Sequence, residues 1–90
     1  MARITVTHAG GALYHVVVDD GHGTSRHQVT VTPADVERYA PVAAPEELIE
    51  ASFEFLLARE PKESILSRFE LPVIERYFPD YSKAIRDLLP

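Results

Sequence analysis

Apolar and polar residues alternate with a period of two in the first third of the chain. Residues 3–8 and 26–32 alternate, and residues 13–18 form a run rich in valine. Both patterns are typical of β-strands. The segments between them, 9–11 and 19–23, hold the glycines and aspartates of tight turns. Because short loops join antiparallel neighbours, the pattern predicts a three-stranded antiparallel meander.

The two loops also predict how the strands are aligned. A three-residue first turn, with Gly11 in the left-handed conformation, would set Val6 opposite Tyr14. A four-residue second loop, 20–23, would set Tyr14 opposite Val29. Both alignments put the same apolar residues on one face, which favours this register over a slip by one residue. That face comprises Ile4, Val6, Tyr14, Val16, Val18, Val29 and Val31.

The opposite face mixes threonines with two apolar side chains, and the predicted meander leaves its first and third strands at the edges. Neither strand carries a lysine or a proline within it, although such residues commonly protect strand edges. We therefore predict that an edge or this face pairs with a second copy or a partner strand. The alternative is that a helix or the N-terminus covers the edge. The predicted interaction surface comprises Thr5, Thr7, Leu13, His15, Val17 and Thr30.

From residue 32 onward the sequence favours helices, and prolines mark where they begin. Thr32-Pro33-Ala34-Asp35 has an N-cap, a proline at the first helical position and an acid three residues after the cap. That helix is predicted to end near Tyr39. Pro45 opens the longest helix, at about 46–59, with two glutamates near its positive end. Three further prolines each mark the start of a short helix: Pro61, Pro72 and Pro79.

The central helix, about 46–59, is apolar on most of its circumference. Only Glu47, Glu50 and Glu54 form a polar stripe. We therefore expect it to pack between the sheet and the C-terminal helices. The predicted fold is α+β, a single domain over 1–90 with a β meander at 1–32 and four or five helices at 33–90.

A charged segment, 59–63, interrupts the apolar stretch SFEFLLAREPKESILSRF. Because Pro61 ends one helix and starts another, we interpret the segment as a turn rather than a binding motif. Exposed ion pairs contribute about 0–1 kcal/mol, so this segment is expected to tolerate charge reversal.

The C-terminal half also resembles known proteins. FEFLLAREPKESILSRFELPVIERYFPDY resembles the ends of short bacterial proteins with the same Phe/Leu-rich helix, Arg-Glu-Pro break and Ser-Ile-Leu restart. The resemblance covers about 46–81. That group has no assigned activity, so the resemblance implies a bacterial source and transfers no site residues.

Composition narrows the classes of function. The net charge is −5 and no cluster of basic residues occurs, which argues against binding to nucleic acid on electrostatic grounds. No apolar run approaches the ~20 residues that a bilayer requires, and residues 1–5 lack the apolar core of a signal peptide. With no cysteine, neither a disulfide framework nor a thiolate site is possible. We expect a cytoplasmic protein without a cofactor.

Two patterns contain residues typical of a metal site or a catalytic site. The histidines His8, His15, His22 and His27 lie within twenty residues, but the predicted register separates them onto different faces and loops, which argues against a shared metal site. Ser25 and His27 share a strand face, as a nucleophile and its base would. No nucleophile elbow or phosphate-binding loop accompanies them.

Segment 64–78 has the rhythm of a helix–turn–helix: a short helix, a break near Glu70, then a second helix. Its outward positions, Glu75 and Arg76, are of opposite charge, whereas a recognition helix needs base-reading and basic side chains. The leading prediction is a small non-catalytic protein-interaction module that forms a homodimer or binds a protein partner. The alternatives are a nucleic-acid-binding regulator using 64–78, and a small enzyme or metal protein built on the His-bearing hairpins.

Overall fold

The computed structural model describes residues 2–89, so Met1 and Pro90, which bound the predicted domain, lie outside the described residues. The fold is α+β. The strands are β1 (Arg3–Gly10), β2 (Leu13–Asp19), β3 (Thr24–Thr30) and β4 (Arg68–Glu70). The helices are α1 (Pro33–Tyr39), α2 (Pro45–Leu57), α3 (Val73–Tyr77) and α4 (Tyr81–Leu88), with one 3-10 turn at Lys62–Ser64.

The first three strands form the predicted antiparallel meander. Tyr14 lies opposite Val29, as the second loop predicts. The predicted register of the first hairpin was wrong by two residues. The turn has two residues rather than three, and a bulge lies between His8 and Gly10. Val6 therefore lies opposite Val16. A shift of two leaves every side chain on its predicted face.

The sequence did not predict the fourth strand. β4 pairs with β3 in parallel, giving the sheet order β1-β2-β3-β4. The Gln28 N–H donates to the Ser67 carbonyl at 2.8 Å, and the Leu71 N–H donates to the Thr30 carbonyl at 3.0 Å. The helix predicted after Pro61 is only the 3-10 turn, and the chain then extends to form β4.

Proline and a capping box start α1 as predicted. The Asp35 N–H donates to the Thr32 hydroxyl at 3.2 Å, and the Thr32 N–H donates to the Asp35 carboxylate at 3.0 Å. Both bonds satisfy donors that the first turn of a helix leaves without partners. The helix ends at Tyr39, the predicted residue.

Helix α2 packs between the sheet and the C-terminal helices, which confirms the predicted arrangement. On the sheet side, the Phe53 ring lies 5.2 Å from the His27 ring. On the other side, the Phe55 ring lies 5.4 Å from that of Tyr81. The buried residues of this helix are Leu48, Ile49, Ala51, Ser52, Phe53, Phe55 and Leu56.

Buried tyrosines join α1, α2 and α4. The Tyr39 and Tyr81 rings meet edge to face at 5.1 Å, and the Tyr81 and Ser52 hydroxyls hydrogen-bond at 2.6 Å. The Tyr39 hydroxyl donates to Glu75 at 3.0 Å. Burial and this carboxylate raise the pKa of Tyr39 to about 12, so the hydroxyl stays protonated at neutral pH. No helix within residues 2–89 has the length and apolar character needed to cross a bilayer.

Candidate interaction surface

The sheet has one covered face and one open face. Tyr14, Val16, Val18 and Val29 face the helices and are buried. On the other face Thr5, Thr7 and His15 are exposed, while Leu13, Val17 and Thr30 are partly buried. The six residues of the predicted interaction surface therefore share the open face.

Strand pairing arranges these six residues in adjacent rows, because cross-strand neighbours share a face. The rows are Thr5–Val17–Arg26, Thr7–His15–Gln28 and Leu13–Thr30–Glu70. Each row holds polar side chains, and only the first and third include an apolar one. The open face by itself is thus a mixed surface rather than a continuous apolar patch.

One sheet edge is the outer side of β1. Within residues 2–89, no strand pairs with it, and no backbone hydrogen bond joins β1 to a segment outside its hairpin. The bulge after His8 disturbs only the hairpin end of the strand. The backbone from Arg3 to His8 therefore offers a free edge to a further strand.

The prediction that β3 is the other edge was wrong for residues 28–30, which pair with β4, whereas residues 24–27 of β3 have no paired strand on that side in the described part of the chain. Thr30 lies opposite Glu70 of β4, and its carbonyl accepts the Leu71 N–H. The edge on this side is β4, which is three residues long and carries Arg68 and Glu70 on the exposed side. Short length and charge both limit pairing with strands whose charges do not complement those of β4.

The histidines have separate environments. The His8 ring hydrogen-bonds to the Gly11 carbonyl at 2.7 Å and lies 4.7 Å from the Tyr14 ring. His15 is exposed on the open face, and His22 is exposed in the β2–β3 loop. In the described part of the chain, no three His, Cys, Asp or Glu side chains come close enough to share a metal ion.

His27 is buried and links β3 to the segment before β4. Its Nδ1 lies 2.8 Å from the Leu66 carbonyl, and its Nε2 lies 2.7 Å from the Ser25 hydroxyl. Since a carbonyl only accepts, Nδ1 carries a proton, and in the neutral ring Nε2 then accepts from the Ser25 hydroxyl. A serine, a histidine base and a group that orients the base are parts of a nucleophilic site. A hydrolase also needs hydrogen-bond donors that stabilise the oxyanion formed in its reaction.

The lysine beside the β2–β3 loop is held by carboxylates. Lys62 lies beside Gly23, two residues before Ser25. Its ammonium donates to Asp20 at 2.7 Å and also to Glu63. These bonds lower the pKa of both carboxyls and raise the pKa of Lys62. The arrangement therefore serves as a cross-link between the β2–β3 loop and the 3-10 turn.

Lys62 also changes the interpretation of the charged segment 59–63. Its side chain is only 6% exposed, so this part of the segment is not a solvated turn. Arg59 stacks on the Phe55 ring at 3.7 Å and pairs with Asp80 at 2.9 Å. No local signal marks Asp80 and Asp20 as partners, because they lie 21 and 42 residues from Arg59 and Lys62.

The structure contradicts the helix–turn–helix interpretation of 64–78. The segment contains the end of the 3-10 turn, strand β4 and the five-residue helix α3. The predicted first helix is therefore absent from this segment. Within α3, Glu75 is engaged by Arg38 at 2.8 Å and by Tyr39.

Comparison with known proteins gives no assignment: no protein-family model, no curated protein and no solved structure matches this chain.

Proposed function

We propose that this protein is a non-catalytic interaction module that self-associates by pairing a sheet edge with a second copy. The observation that carries the proposal is the open sheet: β1 and β4 end it on either side, and within residues 2–89 neither has a strand on its outer side. Main-chain hydrogen bonds supply affinity when a strand is added to such an edge. A second copy is the partner always present at an edge of matching length.

Net charge and site chemistry support this function over the alternatives. The chain carries −5 overall, which disfavours a polyanion as partner. Lys62 and Arg59, the basic side chains of the charged segment, are already held by carboxylates. Both ring nitrogens of His27 are used within the domain. Neither nucleic-acid binding nor catalysis is therefore favoured by a specific observation.

Solution mass tests the proposal. Light scattering over a hundredfold range of concentration should show a dimer that dissociates on dilution. Because edge pairing depends on backbone bonds and apolar contacts as well as charge, the dimer should persist at moderate salt. A monomer at every concentration would contradict self-association.

A pair of substitutions on β1 tests that edge separately. Thr5→Lys with Thr7→Lys places two charges on an exposed strand, which opposes edge pairing there. Ala34→Lys with Val42→Lys, at two exposed positions outside the sheet, is the matched control because it adds the same two charges away from the strand edges. Loss of the dimer in Thr5→Lys/Thr7→Lys but not in this control would assign the interface to β1. An unchanged dimer would exclude β1.

A further inference from the structure

We propose that β4 is the self-associating edge, and that two copies pair their Arg68–Glu70 strands antiparallel about a two-fold axis at Phe69. The inference rests on the proposed function and specifies its interface. A two-fold interface requires a surface that complements itself. The sequence Arg-Phe-Glu of β4 has this property when read in opposite directions.

The backbone of β4 is oriented for this pairing. In a parallel ladder, alternate residues direct both their N–H and carbonyl groups to one side. Ser67 and Leu71 bond to β3, so Phe69 also faces β3 and Arg68 and Glu70 direct theirs outward. In an antiparallel pair centred on Phe69, Arg68 of one copy lies opposite Glu70 of the other. These two residues then form a hydrogen-bonded pair. Two such pairs give four backbone hydrogen bonds.

The side chains complement each other in the same alignment. Each Arg68 lies opposite Glu70 of the second copy, which makes two reciprocal ion pairs, and the two Phe69 residues lie opposite each other. Opposite charges directly across an antiparallel pair are favourable, and like charges are unfavourable. Arg68 and Glu70 are exposed, and within residues 2–89 neither side chain forms an ion pair or hydrogen bond.

An apolar groove beside β4 supplies surface that the strand lacks. It has a volume of about 280 Å³ and lies between the end of α2 and helix α3, with Leu56, Ile65, Phe69, Val73 and Phe78 in its lining. The groove is also lined by two large apolar side chains that are exposed to solvent: Leu66, which is 46% exposed, and Tyr77, which is 68% exposed.

The size of the interface requires this groove. A stable interface buries about 800 Å² per partner, against 5469 Å² exposed by the whole chain. Three paired residues cannot supply that area. A two-fold axis at Phe69 places both grooves on the same side of the joined sheet, so Leu66 and Tyr77 of each copy are available to add buried area.

The β1 edge lacks this complementarity. Arg3 is its only residue with a permanent charge, so two copies of β1 cannot form reciprocal ion pairs in any register. Pairing centred on Thr5 would set Arg3 opposite Thr7 of the second copy. The β1 edge can therefore accept a strand, but its charges do not favour a second copy of β1 over another strand.

A charge-swap series tests the β4 interface. Arg68→Glu and Glu70→Arg each replace two ion pairs by two like-charge pairs, so each should raise the dimer dissociation constant roughly tenfold or more at low salt. The double variant Arg68→Glu/Glu70→Arg restores both pairs in reverse and should recover the dimer. An equimolar mixture of the two single variants should form a heterodimer, because one strand is then acidic and the other basic.

Matched controls separate this effect from net charge. Arg86→Glu on α4 and Glu37→Arg on α1 make the same charge changes at exposed positions that form no ion pair in the described chain. They should leave the dissociation constant within about twofold of the starting protein. Far-UV circular dichroism of each variant checks that the domain is folded.

The outcomes distinguish the two proposals. A monomeric starting protein overturns both. A dimer that both single swaps leave intact overturns the β4 interface, while self-association stands. A dimer weakened by each single swap, with recovery in neither the double variant nor the mixture, overturns the reciprocal pairing.

Discussion

At the scale of single residues, Lys62 and His27 are the buried basic side chains of the described residues, and no acidic side chain there is buried. Each has partners from a distant part of the chain: Lys62 bonds Asp20 across 42 residues, and His27 bonds the Leu66 carbonyl across 39. Buried polar groups are costly unless they are hydrogen-bonded. In the described residues, no buried side-chain nitrogen or oxygen lacks a hydrogen-bond partner. The bonds of Lys62 and His27 therefore satisfy the polar groups that folding buries.

Lys62→Met should lower the free energy of unfolding at pH 7, because Asp20 and Glu63 lose the cation that stabilises their charged forms. The bond to Lys62 lowers the pKa of Asp20 below its ordinary 3.8 and that of Glu63 below 4.5. A lowered carboxyl pKa adds stability above the unfolded value and loses it as the pH falls through the folded value.

The stability gap between the two proteins should therefore narrow as the pH falls below the ordinary carboxyl values. Urea denaturation at pH 7 and pH 3 measures it. Lys83→Met, at an exposed position of α4, is the control and should show a smaller loss at pH 7. A gap of equal size at both pH values would contradict the role given to Lys62.

Phe55→Ala should lower the free energy of unfolding by about 3–5 kcal/mol, because it leaves a cavity in a packed core. The Phe55 ring contacts those of Phe78 and Tyr81 and supports the Arg59 guanidinium. Val42, which is 88% exposed, provides the control: Val42→Ala should change stability by no more than about 0.5 kcal/mol. Urea denaturation of both variants compares them, and equal losses would mean that Phe55 is not a core residue.

At the scale of elements, the most accurate predictions concern helix starts and the second hairpin. Thr32 and Asp35 are three residues apart, so the sequence contains both halves of the α1 cap. The β2–β3 loop likewise contains its own turn residues. β4 differs because its three residues have no periodicity of their own. It is a strand because the chain after the 3-10 turn extends alongside β3.

Thr32→Ala should cost about 1 kcal/mol of stability, because the Asp35 N–H loses its acceptor. Thr32→Ser keeps a hydroxyl and should retain most of that stability. Urea denaturation of both variants against the starting protein measures the difference. If serine were as destabilising as alanine, the methyl group of Thr32 rather than its hydrogen bond would be responsible.

At the scale of the whole molecule, both edges of the four-stranded sheet lack a further strand in the described residues, while the helices cover one face. The open face carries the six residues predicted from alternation, whereas β4 and its groove form a second surface that the pattern did not reveal. The two surfaces meet at the row that runs from Leu13 through Thr30 to Glu70. Self-association at β4 would leave β1 and most of the open face free for a second interaction.

The sequence by itself determined the features that depend on neighbours along the chain. Alternation of period two defines the meander and its faces, proline and capping residues define where α1 and α2 begin, and the apolar circumference of α2 requires cover on two sides. Only the tertiary structure decided the parallel pairing of β4, the burial of Lys62 and the orientation of His27. These depend on contacts between residues 39 to 42 positions apart, and local pattern contains no information about such pairs.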